Sequence, residues 1–286
     1  MFWAPFGSYE YNWNTSSIDG QRPAAAMGQI ITPGNNTKGS YNILLSSSNV
    51  TRDIYGLNIN INSNFVAANA RDALLDIGVD TAGGSNYVAY IPNLIASCAS
   101  NLNLGGGLSY FFPIFIPSGS SVAARASVNN VTPGTLRCFV QAFGAPKSPQ
   151  LSKAGSKVTA FGVTLTGSAG IAVPVGTTSD GPWVALATNI SQSCWFWQVG
   201  MGCNDSTMTA NGMYFVDLAY GDATNKHIII KDLNINVPTA NEALSTSGAE
   251  MGCYRNVPSG SNIYGRVQCS GTADSLISLI AYGVSG

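Results

Sequence analysis

Residues 28–45 read GQIITPGNNTKGSYNILL, and residues 170–187 read GIAVPVGTTSDGPWVALA. Gly28, Gly34, Gly39 and Leu44 of the first stretch meet Gly170, Gly176, Gly181 and Leu186 of the second, each 142 positions on. Further along, IPSGSSVAARASV (116–128) faces VPSGSNIYGRVQC (257–269). Pro117, Ser118, Gly119, Ser120 and Arg125 match Pro258, Ser259, Gly260, Ser261 and Arg266 at a separation of 141. Between these anchors LLDIG (74–78) faces FVDLA (215–219), which sets Asp76 against Asp217, again 141 apart. The copies end alike, VQAFG at 140–144 and LIAYG at 279–283. An offset held this steadily from one end of a unit to the other marks a tandem duplication.

Each copy reads as short strands punctuated by turns. In YGLNINI (55–61), Leu57, Ile59 and Ile61 share one face and Asn58 and Asn60 the other, the period of a half-buried strand. Clusters such as PGNNTKG, DTAGGSN, IPSGSS and VTPGT separate the runs, with Gly supplying positive φ and Pro fixing φ at corners. Strands are expected near 29–32, 41–45, 54–61, 73–79, 87–95, 110–116, 121–128 and 136–143, with eight counterparts in the second copy. The fold class is therefore all-β: two tandem duplicated eight-stranded jelly-roll-like β-sandwiches with an extended N-terminal arm. The expected division is an arm at 1–27, a first sandwich at 28–146, a linker and lead-in strand at 147–169, and a second sandwich at 170–286.

The chain carries 13 Lys+Arg and 14 Asp+Glu in 286 residues, 9% charged, with a net charge of −1; about 25% is usual. No basic face is available to meet phosphates, so a nucleic-acid partner is not expected. Nor is a membrane partner, since no run approaches 18 apolar residues. The first residues, MFWAPFGSYEYNWN, have neither the basic nor the apolar region of a secretion signal. Six cysteines without CxxC spacing and the sole histidine, His227, point to buried reduced thiols, no metal site and no cofactor.

Catalytic chemistry finds little support. His227 begins the apolar run HIII with no nucleophile motif nearby. Asp72, Asp76 and Asp80 could suggest an acid–base pair or a calcium site, but Asp76 recurs as Asp217, and a duplicated carboxylate reads as structural. The expectation is that the chain is not an enzyme. Asp76 with Arg125, and Asp217 with Arg266, are expected to tie neighbouring strands in each sandwich. In CWFWQVG (194–200), alternation places Trp195 and Trp197 on one face, either core packing or a platform for sugar rings. Phe2, Trp3, Phe6, Tyr9, Tyr11 and Trp13 crowd the arm without periodicity, as suits an extended segment docking into a neighbouring subunit.

Paired β-sandwiches, an arm, low charge and Gly/Ser/Asn-rich turns over 28–286 make the chain resemble structural proteins of tailed bacteriophages. That resemblance implies a virion protein assembled in the host cytoplasm. Its role would be a capsid decoration or cement subunit, or a collar or tail subunit, contacting other virion proteins. A homo-oligomer is expected, a trimer favoured. The alternative is a receptor- or carbohydrate-binding appendage.

Overall fold

The computed structural model of the chain describes residues 28–64, 71–98, 108–129, 135–144, 154–202, 212–237, 244–245, 252–269 and 276–286. The aromatic arm, residues 1–27, lies outside them. In the first half the strands are β1 (Gln29–Ile31), β2 (Gly34–Asn35), β3 (Asn42–Leu45), β4 (Gly56–Asn64), β5 (Arg71–Asp80), β6 (Val88–Cys98), β7 (Leu108–Phe112), β8 (Ser121–Val128) and β9 (Thr135–Phe143). Then follow β10 (Lys157–Phe161), β11 (Val163–Thr164), β12 (Ala169–Gly176), β13 (Val184–Ala187), β14 (Cys194–Gly202), β15 (Gly212–Gly221), β16 (Lys226–Val237), β17 (Leu244–Ser245), β18 (Cys253–Val257), β19 (Asn262–Cys269) and β20 (Leu276–Ser285). The helical content is one 3₁₀ turn, Leu165–Gly167, among the described residues.

The chain is nearly all β and sandwich-like. In the first half β1-β9-β4-β7 form one sheet, and β2-β8-β5-β6, with β3 on β8, form another. In the second half β20 lies between β12 and β14, and β18 pairs β14; β19 joins β13 and β15, and β16 pairs β15. The first strand changes sheets in each half. Pro33 separates β1, antiparallel to β9, from β2, parallel to β8; the continuous β12 pairs β20 and then runs parallel to β19. Beyond the expected eight, the second half carries β11, β17 and β10. The last continues along β20 where β12 leaves off, Phe161 opposite Ala281 and Ile171 opposite Leu279. The strand expected over 110–116 stops at Phe112, because Pro113 has no N–H to give a ladder.

Alternation is sharpest where one face stays wet. β9 alternates half-buried and buried along its length, Leu136, Cys138, Val140 and Ala142 pointing inward. Its counterpart β20 is buried on both faces. Ile277, Leu279 and Ala281 enter the core of the second half, while Ile280, Tyr282 and Val284 join the core of the first. β14 behaves similarly, with Trp197, Val199 and Met201 in one core and Phe196 in the other. The two halves therefore share apolar packing across the β14–β20 sheet.

What they receive there is the edge strand β6. Gly200 leaves room for Ile95 and the Tyr110 hydroxyl, and Gly202 for the Asp72 carboxylate. Tyr282 Oη accepts the Ile95 N–H at 2.8 Å and donates to the Asn93 carbonyl at 3.0 Å. Tyr110 Oη donates to the Ile95 carbonyl at 2.6 Å. An unpaired strand edge is thus satisfied by side chains of both halves.

Cys138, Cys194, Cys253 and Cys269 are free thiols. Burial pushes Cys194 up to about 11 and Cys138 higher still. A raised thiol pKa stabilises the fold below the ordinary value of 9.0 and that contribution is lost as pH rises through the folded pKa. Because Cys138, Cys194 and Cys269 are all buried, peptide-resolved maleimide labelling at pH 8 should modify them only after denaturation. Rapid labelling of any of the three in folded protein would contradict their burial.

Candidate functional site

The same carboxylate-centred node occurs in both halves. Asp76 on β5 stands directly opposite Arg125 on β8, and Asp217 on β15 opposite Arg266 on β19. Arg125 Nε donates to Asp76 Oδ2 at 3.0 Å; Arg266 donates to Asp217 Oδ2 from Nε at 2.9 Å and from its terminal nitrogen at 2.7 Å. On the other side of each aspartate the ladder slips, between Leu75 and Ile77 and between Val216 and Leu218. The extra residue there is Asn93 (φ 56°) or Asp232 (φ 51°), types that tolerate left-handed backbone. Its N–H, turned out of the ladder, is accepted by Asp76 Oδ1 at 2.9 Å or Asp217 Oδ1 at 2.7 Å. Each aspartate, 3% and 2% exposed, therefore holds a neighbouring strand on either side.

An aromatic ring completes each node. Arg125 lies 4.5 Å from the Tyr41 ring centroid and Arg266 4.4 Å from that of Trp183, a cation–π contact. Tyr41 and Trp183 sit 142 positions apart in the stretch that revealed the repeat. The nodes differ in charge. Lys38 Nζ meets Asp76 Oδ1 at 2.7 Å, and burial pushes its ammonium below the usual range while Asp76 opposes the shift. At the position matching Lys38 the second half has Asp180, 2.5 Å from Arg266, and Lys231 adds contacts to Asp217 at 3.2 Å and Asp232 at 2.8 Å. Asp180, Asp217 and Asp232 bring carboxylate oxygens within 4.8 Å of one another. Arg266 and Lys231 already bind these oxygens, so the geometry is that of an ion-pair network.

The expected pairing of Trp195 with Trp197 needs correction. β14 slips against β18 between Cys194 and Phe196, which breaks the alternation. Trp197 is fully buried, stacked on Phe161 with centroids 5.8 Å apart, and its Nε1 donates to the Arg255 carbonyl at 3.0 Å. Trp195 packs against the other core beside Phe196 and stacks on Tyr254. The two tryptophans share no face. The arm residues Phe2, Trp3, Phe6, Tyr9, Tyr11 and Trp13 fall outside the described residues.

The remaining acids and the histidine stand apart from one another. Asp80 accepts the N–H groups of Ala82 and Asn86 at 2.9 and 2.8 Å, fixing a turn. Asp72 is fully buried at the junction of the halves. His227 is exposed beside Tyr220, ring centroids 5.1 Å apart.

No family model matches the chain, and no curated protein does. Among solved structures it is similar to PNGF-II, with TM-score 0.40 and 10% identity over 91% of this chain, which spans 64% of that one. It is also similar to a peptide-N(4)-(N-acetyl-β-D-glucosaminyl) asparagine amidase, with TM-score 0.31 and 10% identity over 98% of this chain and 95% of that one. A structure of infectious bursal disease virus, Gx strain, matches with TM-score 0.22 and 11% identity over 90% of this chain and 70% of that one. The expectation that the chain is not an enzyme is corrected by these matches. One of these similar structures is an amidase.

Proposed function

We propose that each half is a jelly roll descended from one ancestral unit, and that the chain is a building block of a virus particle acting through subunit contacts. The shared strand pairings and the two matched carboxylate nodes support the common descent. The observation that carries the assembly role is the surface. In a chain with 9% charged residues, Ile43, Val88, Leu165 and Tyr254 are 51%, 62%, 60% and 60% exposed, spread over both halves. Covering such side chains with neighbouring subunits removes apolar surface from water, which is favourable. The junction joins the halves through common cores, which suits a rigid block in a shell.

On this reading the chain is a capsid decoration or cement subunit, or a collar or tail subunit, of a tailed bacteriophage. It forms a homo-oligomer, a trimer favoured, assembles in the host cytoplasm and docks its aromatic arm on a neighbouring virion protein. Mass spectrometry of purified particles should find the chain, with hundreds of copies for decoration and a few dozen or fewer for an appendage. Deleting residues 1–20 should sharply lower incorporation. Incorporation at normal level and stability would remove the arm from the proposal, and a monodisperse monomer absent from particles would remove the whole of it.

A further inference from the structure

The last strand of each half is flanked differently on one side. In the second half β12 pairs β20 from Leu276 to Leu279, and β10 pairs it from Ala281 to Ser285. In the first half β1 covers the matching start of β9, with Gln29 opposite Cys138 as Ile171 is opposite Leu279. Beyond Cys138, no strand among the described residues continues on that side of β9. Yet Val140 and Ala142 are 0% and 2% exposed. Backbone groups turned to that side must therefore be met by protein rather than by water.

The repeat indicates which segment meets them. β10 ends at Phe161, and Gly162 (φ 87°) turns the chain toward Gly170 and β12. Gly20 and Gly28 stand 142 positions before these two glycines. At that offset Lys157–Phe161 corresponds to residues 15–19, TSSID, while Ala281–Ser285 corresponds, at 141, to Val140–Gly144. Side-chain volume agrees. Phe161 lies close against Gly283, beside Cys194; the first half places the larger Ala142 and Ile54 there, so the shorter side chains of 15–19 suffice. We infer that residues 15–19 lie antiparallel along β9 of their own chain, Ser17 opposite Ala142, and complete its edge as β10 completes that of β20. This anchor does not depend on the chain being part of a particle. On the assembly reading above, it fixes where the aromatic arm starts. Trp3, twelve residues ahead of Thr15, then reaches at most about 40 Å from β9.

Directly opposed residues of an antiparallel pair have Cα atoms about 4.5–5.5 Å apart, within reach of a disulfide. The full chain carrying Ser17→Cys and Ala142→Cys is oxidised, then digested without reduction. Mass spectrometry should find the peptides of positions 17 and 142 linked, in protein that runs as a single chain on a non-reducing gel. Hydrogen exchange gives a reading that needs no new cysteine. Backbone amides within 140–143 should exchange about tenfold faster or more once residues 1–20 are deleted, while those of β5 keep their rates. Absence of the link would overturn the inference, as would unchanged exchange in the shortened chain. A link that joins two chains would overturn it too, because the strand would then come from a second copy.

Discussion

Gly200→Val is expected to cost the folded chain about 3 kcal/mol, at the upper end for overpacking a closed core. A Cβ at Gly200 would lie 2.5 Å from both Ile95 Cγ2 and Tyr110 Oη, and near the Tyr282 ring. Neither Ile95 nor Tyr110 can retreat easily. Ile95 belongs to the strand segment whose backbone Tyr110 and Tyr282 hold at both its N–H and its carbonyl, and Tyr110 packs against Tyr282 edge to face at 5.5 Å. Pushing β6 away would open the seam where Phe196, Ile280, Tyr282 and Val284 join the first core. The seam and the hydrogen bonds would then fail together. Gly167→Ala is the control: its Cβ would meet only Thr164 Cγ2, at 3.7 Å, and the effect should stay within about 0.5 kcal/mol. Urea unfolding of the three proteins checks this. The wild type should unfold in one transition, because β14 and β20 serve both cores. Gly200→Val should lose midpoint, or split the transition if the halves part before they melt. An unshifted midpoint would show that β6 does not rest on Gly200.

The difference between the halves explains how much of the fold was legible in the sequence. β4 and β9 face solvent on one side, so Leu57, Ile59 and Ile61 alternate visibly with Asn58 and Asn60. β20 reads LISLIAYGVS without alternation, since partners cover both its faces. Buried runs of that kind look alike whether their second partner is another sheet or another domain, so the junction could not be seen in advance. The bulges were hidden for another reason. Asn93 and Asp232 lie 139 apart, off the 141 spacing of the aspartates they serve, and no local composition marks them. The ladder slip at Trp195 likewise reversed which side chains share a face, an error that strict alternation always makes at a bulge. The Asp–Arg pairs at the heart of the nodes were legible from their recurrence at the 141 spacing, and Tyr41 and Trp183, an aromatic pair 142 apart, are a further clue in the same repeat.

The second large effect is expected at those nodes, and it should be unequal. Removing one partner of a buried ion pair costs about 3–5 kcal/mol, because the other charge is left without compensation. Asp76→Ala leaves Lys38 and Arg125, with side chains 16% and 33% exposed, beside each other with no other carboxylate paired to them among the described residues, and strips the Asn93 N–H of its acceptor. The local charge rises from +1 to +2. Asp217→Ala likewise strips the Asp232 N–H, but Asp180 remains against Arg266 and Asp232 against Lys231. There the three carboxylates and two cations become two and two, and the local charge moves from −1 to 0. Asp76→Ala should therefore fall near the top of the range and Asp217→Ala near the bottom, although the two aspartates are equally buried and stand in the same register. Adding Lys38→Met to Asp76→Ala should recover part of the loss, since it removes a buried ammonium whose partner has gone. Adding Asp180→Asn to Asp217→Ala should deepen the loss. Chemical denaturation of these four variants reads the order directly. Equal costs in the two halves would mean that the lost bulge contact, common to both, dominates over charge. Costs below about 1 kcal/mol in both would place the nodes among surface ion pairs and end the claim that they hold the strands together.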